Sequence, residues 1–153
     1  MVRLGMICAL VMGLCFFGAQ AEEELPLKEV LPQAASFTAI KKGQEVIYYE
    51  AKDKDGKLLG AAFKATGKSY SDIVTLVGML KDGTITAIRV LSQNETPGIG
   101  SRVSEPAFTD QFRNIKDVSG VQAISGASVS SAAVIESVKK RAEEVKKLIR
   151  GEK

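Results

Sequence analysis

The run Asp72-Ile73-Val74-Thr75-Leu76-Val77-Gly78-Met79-Leu80, then Lys81-Asp82-Gly83, then Thr84-Ile85-Thr86-Ala87-Ile88-Arg89-Val90-Leu91-Ser92 reads as two β-strands joined by a tight turn. Branched and apolar residues fill both runs, and Asp82-Gly83 supplies the positive φ angles that a short hairpin requires. In the first run Ile73, Val74, Leu76, Val77, Met79 and Leu80 leave neither face polar, which predicts a central strand covered by helices. Upstream, Val46-Ile47-Tyr48-Tyr49-Glu50 and the stretch Leu58 to Thr66 flank the turn residues Asp53-Lys54-Asp55-Gly56 and predict a second strand pair. Residues 22–45 are charged and punctuated by Pro26 and Pro32, which bracket Leu27, Val30 and Leu31; a short helix near 27–36 is expected there.

Downstream, between Ser130 and Ile149, the residues Ile135, Val138, Ala142, Val145 and Ile149 recur at steps of three and four. That period is a helix with one apolar stripe, and Glu136/Lys140 and Glu143/Lys147 are spaced for i,i+4 pairs on its wet side. Its lysine-rich end suits the negative pole of the helix dipole, so the basic excess reads as a solvated face. The expected fold class is α+β: a mainly antiparallel sheet with flanking helices and a long C-terminal amphipathic helix.

The composition narrows the chemistry. A chain of 153 residues holds one compact domain, here expected over 22–153. It contains no His and no Trp, and its two cysteines, Cys8 and Cys15, lie in the apolar first twenty residues. There is therefore no His ligand for zinc, no Ser-His-Asp or Cys-His pair and no CxxCH haem attachment. Catalysis by side chains alone would have to rest on Lys, Tyr, Asp, Glu or Ser, so demanding chemistry is expected from a bound cofactor, and neither a catalytic set nor a metal site is expected. The net charge of +3, from 21 basic and 18 acidic residues spread along the chain, is too mild for nucleic-acid binding.

Arg3 is followed by the uncharged, mostly apolar run Leu4 to Gly18, then Ala19-Gln20-Ala21 before Glu22-Glu23-Glu24. A charged start, an apolar stretch and a small-x-small site make a secretory signal over 1–21, with the mature chain starting at Glu22. The competing reading is an uncleaved anchor through residues 4–21, close to the lower length limit for a membrane span. Either way, the expected location is extracytoplasmic or periplasmic, because Arg3 stays on the inner side. Cleavage would leave no cysteine, so stability would come from packing and not from disulfides.

Two segments are candidates for carrying chemistry. In the first, Ile124-Ser125-Gly126-Ala127-Ser128-Val129-Ser130-Ser131, small and hydroxyl residues stand at the start of the long helix. Ser128 or Ser130 can serve simply as an N-cap, with Gly126 relaxing the turn. The same geometry suits an anionic phosphate, because free N–H groups and the positive end of the dipole converge there while Gly126 and Ala127 allow close approach. In the second, Asn94-Glu95-Thr96-Pro97-Gly98-Ile99-Gly100, Pro97-Gly98 has the signature of a type II turn and Gly100 permits a further unusual φ. It reads either as an ordinary loop or as a backbone-lined ledge for a flat ring, with Glu95 and Thr96 as polar edges.

Taken together and in this order, Glu95-Thr96-Pro97-Gly98-Ile99-Gly100-Ser101, then Phe108 and Phe112, then Ala123-Ile124-Ser125-Gly126-Ala127-Ser128 with Ser130-Ser131, resemble a known family. It is the FMN-binding domain of the G subunit of the Rnf electron-transport complex and the C subunit of the sodium-pumping NADH:quinone reductase, and the resemblance spans roughly residues 38–148. It implies FMN joined through its phosphate to the hydroxyl of the last residue of an Asp-x-x-Ser/Thr-Gly-Ala-Thr/Ser motif, which is Ser128 here. A magnesium-dependent FMN transferase that takes FMN from FAD is implied as the maturation partner. Ser125, Gly126, Ala127, Ser130 and Ser131, with Glu95, Thr96, Pro97, Gly98 and Gly100, are the implied cofactor-binding residues. Gln122 holds the position of the motif aspartate.

The resulting expectation is an exported flavoprotein electron carrier, a redox-complex subunit rather than a stand-alone enzyme. It would pass electrons between redox partner proteins, whether membrane electron-transport subunits or an extracytoplasmic reductase. The alternative is a cofactor-free or non-covalent exported binding module in which the two segments serve only as turn and cap.

Overall fold

The structure is a computed structural model that describes residues 25–152, so the export segment lies outside the described residues. Five strands, β1 (Ser36–Lys42), β2 (Glu45–Lys52), β3 (Leu58–Lys68), β4 (Asp72–Leu80) and β5 (Ile85–Ser92), pair in sequence order, each antiparallel to the next. The four-residue helix α1 (Leu27–Val30) covers part of one face of this meander, and two further helices, the short α2 (Pro106–Thr109) and the long α3 (Ser128–Arg150), pack on the other. The molecule is α+β, as the hydrophobic periods indicate.

β4 is buried on both faces for the reason its composition suggests. Ile73, Val77 and Met79, with Ala61 and Phe63 of β3, pack against Val134, Val138 and Val145 of α3. On the reverse face Leu76 joins Ala62, Ala87 and Val30 of α1. The 3₁₀ turn Gly100–Ser104, helix α2 and a further 3₁₀ turn, Asp110–Phe112, close the α3 side with Val103, Phe108 and Phe112. The two phenyl rings meet edge to face, with centroids 5.5 Å apart.

Four local expectations differ from the structure. The helix expected near 27–36 ends at Val30, because the residue before Pro32 is driven out of helical space: Leu31 has φ −141° and ψ 71°. From Ser36 the chain becomes the edge strand β1, whose Lys41-Lys42 end discourages pairing with another chain. In the β4–β5 loop only Gly83 takes a positive φ, +95°, since a three-residue loop needs the left-handed conformation only at its last position. Asp82 instead accepts from the N–H and hydroxyl of Thr84. On α3, among the described residues, the i,i+4 pairs do not close to ion-pair distance. The pair that does is Arg141–Glu144 at 2.9 Å, and Arg141 also donates to the Ile47 carbonyl of β2.

Helix α3 lies close to β3 because Gly67 has no side chain: a Cβ there would come within 2.3 Å of the Ala133 carbonyl oxygen. The helix stops at Gly151, which is left-handed with φ +69°. The Gly151 N–H reaches the Leu148 carbonyl and the Glu152 N–H reaches that of Lys147, the Schellman pattern.

Candidate functional site

The two segments singled out in the sequence converge at one end of the sheet. Gln93 to Ile99 leaves β5 and enters the 3₁₀ turn at Gly100, while Ser125 to Ala127 delivers the chain into α3. Between them, with the β3–β4 turn as third wall, is a cleft of about 340 Å³ lined by Tyr70, Glu95, Thr96, Ile99, Gly100 and the stretch Gly126 to Ser130. That volume falls within the range of small-molecule sites. A larger, open hollow of about 990 Å³ lies across the sheet between α1 and Phe37, Ala39 and Tyr49, but neither segment contributes to it.

The start of α3 is not closed by a serine cap. Ala127 is the N-cap residue and makes no side-chain cap bond. Ser131 is buried; its hydroxyl donates to the Ala127 carbonyl at 2.7 Å and accepts from the Ile124 N–H at 3.0 Å, which folds the incoming loop onto the first turn. The buried Ser130 hydroxyl donates to Glu95 Oε2 at 2.6 Å. Ser128 is exposed, lines the cleft, and its hydroxyl has no partner among the described residues. The N–H groups of Ser128, Val129 and Ser130 likewise find no acceptor among the described residues, as the first turn of a helix leaves them. Gly126, at φ +80°, turns the chain into this position, and Ser125 lies outside the cleft lining, its carbonyl 3.5 Å from Arg102 Nη1.

In the other segment, Glu95 is only 5 % exposed. Its Oε1 accepts from the Ser71 N–H at 2.9 Å and the Ser71 hydroxyl at 2.7 Å; its Oε2 accepts from Ser130 and from the Ser69 hydroxyl at 3.0 Å. Burial pushes this carboxyl up, but the bonds from Ser130, Ser71 and Ser69 outweigh it and hold the group below the ordinary glutamate value. Thr96 is exposed, and its carbonyl accepts from the N–H groups of Ile99 and Ser101. Pro97 and Gly98 are exposed outside the cleft lining; Gly98 has φ +73°, as the turn signature requires, and donates to Ser101 Oγ.

The reason for Gly100 is different from the one its sequence suggests. Its φ is not positive; instead a Cβ there would come within 2.6 Å of Ser130 Oγ and 2.9 Å of Glu95 Oε2. Absence of a side chain lets the loop close over the Glu95–Ser130 bond. Ser69, Tyr70, Ser71 and Arg102 carry no signal in the sequence that places them at the site. Ser69, Ser71 and Arg102 lie 23 residues or more from their partners there, and neither type nor spacing marks them. Gln122 is exposed; its backbone N–H donates to Gln111 Oε1 at 2.9 Å and its carbonyl accepts from Gln111 Nε2 at 3.2 Å.

The rim of the cleft is apolar. Tyr70 is 82 % exposed, Val129 52 % and Ile99 51 %, three large hydrophobic side chains gathered around one opening. Exposed apolar surface grouped beside free backbone donors is an arrangement for a ligand with a flat apolar part and an anionic part.

Comparison with known proteins bears on that ligand. The FMN-binding domain family model matches residues 69–143, which include every residue lining the cleft. The G subunit of the ion-translocating oxidoreductase complex of Methanosarcina acetivorans is 30 % identical, the match covering 90 % of this chain and 87 % of that protein. The G subunit of the Na(+)-translocating ferredoxin:NAD(+) oxidoreductase complex of Acetobacterium woodii is also 30 % identical, over 72 % of this chain and 68 % of that one. Among solved structures, Shewanella oneidensis NqrC has a TM-score of 0.52 at 22 % identity, covering 76 % of this chain and 73 % of its own. The C subunit of the Na(+)-translocating NADH-quinone reductase of Parabacteroides distasonis has a TM-score of 0.53 at 24 % identity, covering 65 % and 60 %. The solved structures share the fold.

Proposed function

The chain belongs to the family of FMN-binding domains, and from that premise we propose that it is an extracytoplasmic electron carrier that holds FMN through a phosphoester to Ser128 Oγ. It passes electrons between redox partner proteins, as a subunit of the kind of ion-translocating membrane complex for which its relatives are named. Bound flavin would supply one- and two-electron redox chemistry.

One observation carries the reading: of the serines at the start of α3, Ser128 lines the cleft with a hydroxyl that meets no partner among the described residues, whereas those of Ser130 and Ser131 are engaged. Ser125, the remaining hydroxyl residue of the motif, stands outside the lining. Beside Ser128, the free N–H groups of the first turn and the positive pole of α3 suit a phosphate. The Arg102 guanidinium, 3.5 Å from the Ser125 carbonyl and 3.9 Å from the Glu105 carboxylate, adds partly balanced positive charge beside that turn. The apolar rim of Tyr70, Ile99 and Val129 suits the flavin ring, and its exposure leaves an edge open to a redox partner. Ser128 Oγ would be the nucleophile that accepts FMN from FAD, its new O–P bond replacing the pyrophosphate bond, with AMP as the leaving group and the serine proton taken up by the transferase. No helix among the described residues is long and apolar enough to cross a membrane; retention at a membrane would come from residues 4–21 if uncleaved, or from partner subunits.

The test is direct. Exported together with an FMN transferase, the wild-type band should fluoresce as flavin in a denaturing gel. Ser128→Ala should remove the fluorescence and Ser125→Ala should retain it. A fluorescent Ser128→Ala band would move the attachment point, and a dark wild-type band would leave the non-covalent module as the better reading.

A further inference from the structure

Among the described residues the buried carboxylate of Glu95 meets no cation. No Lys or Arg there forms an ion pair with it, and every hydrogen bond to its oxygens comes from a serine. Removing an ionised carboxylate from water is unfavourable unless its lone pairs are met, and here two donors reach each oxygen. The group therefore keeps its charge while packed directly beneath Gly100 in the wall of the cleft. A packing role alone would not need the charge, since an amide would satisfy the same neighbours. The Gln carbonyl would accept from the Ser71 N–H and hydroxyl, and the amide N–H groups would donate to Ser69 and Ser130, whose hydroxyls accept as readily as they donate.

Resting on the flavin reading of the cleft, we propose that the fixed negative charge of Glu95 sets the reduction potential of the flavin, holding it lower than the same cleft without the charge. Two electrons and one proton convert the neutral oxidised ring to a reduced ring carrying one negative charge, and Glu95 disfavours that gain. A unit charge acting over on the order of 10 Å at an effective dielectric of about 20 alters such an equilibrium by about tenfold. For a two-electron couple this is about 30 mV. Through Ser130 the same carboxylate fixes the first turn of α3, where a negative group is favoured by the helix dipole.

The experiment compares flavin-loaded wild type, Glu95→Gln and Ser69→Ala in a dithionite titration against a reference dye at neutral pH. Glu95→Gln should favour the reduced form by about tenfold. Ser69→Ala, which removes one donor and keeps the charge, should stay within about threefold of wild type. Equal potentials for wild type and Glu95→Gln overturn the proposal, and equal shifts in both variants overturn it in favour of positioning alone. If no protein takes up flavin, the flavin reading falls and this proposal with it; flavin in all three at one potential overturns this proposal only. Should Glu95→Gln fail to fold, Glu95→Met, which also removes the charge, takes its place, and an unraised potential there is equally fatal.

Discussion

The buried charge of Glu95 also governs the response to acid. Four hydrogen bonds hold its carboxyl below the ordinary glutamate value of 4.5, against the opposing push of burial. A carboxyl depressed in the folded state contributes stability that is fully present above the unfolded value and is lost as pH falls through the folded one. Wild type should therefore lose melting temperature relative to Glu95→Gln once the pH drops below about 4.5, the variant following the flatter acid limb. Parallel limbs for the two proteins would show that Glu95 is not the group responsible. At this scale the sequence marks Glu95, Gly100 and Ser128 because they stand in compact motifs. It does not say that Glu95 is buried, that Gly100 is needed for close approach instead of for its φ, or that Ser130 is occupied. Those facts depend on Ser69 and Ser71, which local sequence does not connect to Glu95.

Among the elements, the strands with the strongest apolar or branched patterns are the most legible. β4 occupies the expected residues, and α3 extends the expected helix by two residues at its start and one at its end. β1 is not legible because its burial is slight and its Lys41-Lys42 end dilutes the apolar signal; pairing with β2 makes it a strand. The contact between β3 and α3 is where an element-scale test belongs. A methyl group at position 67 would strike the Ala133 carbonyl, backbone that cannot rotate aside as a side chain would, so α3 must move as a unit. Gly67→Ala should cost about 1–3 kcal/mol in urea unfolding, the range for overpacking a filled interior. Because the first turn of α3 lines the cleft, the variant should also load flavin more slowly. Unchanged stability would mean that the helix does not cross β3 this closely.

For the molecule as a whole, the export reading predicts an intact mass for the secreted protein that begins at Glu22, with residues 1–21 removed. A full-length mass together with a requirement for detergent would establish the anchor instead. The two motifs acquire their flavin reading only through the family resemblance; the sequence by itself determined the α+β class, the sheet's main hairpins and the long helix. Each rests on a period or a turn chemistry confined to a few neighbouring residues, where local sterics and apolar spacing suffice. Only the tertiary structure decided which side chains share the cleft. The meander and α3 bring residues 69–71, 93–100 and 125–130 together at one end of the sheet, so that a tyrosine from one hairpin and a carboxylate from a distant loop flank a helix start. The physical reason is that a buried charge must find its donors wherever the packed chain presents them, and their separation in sequence carries no period from which they can be read.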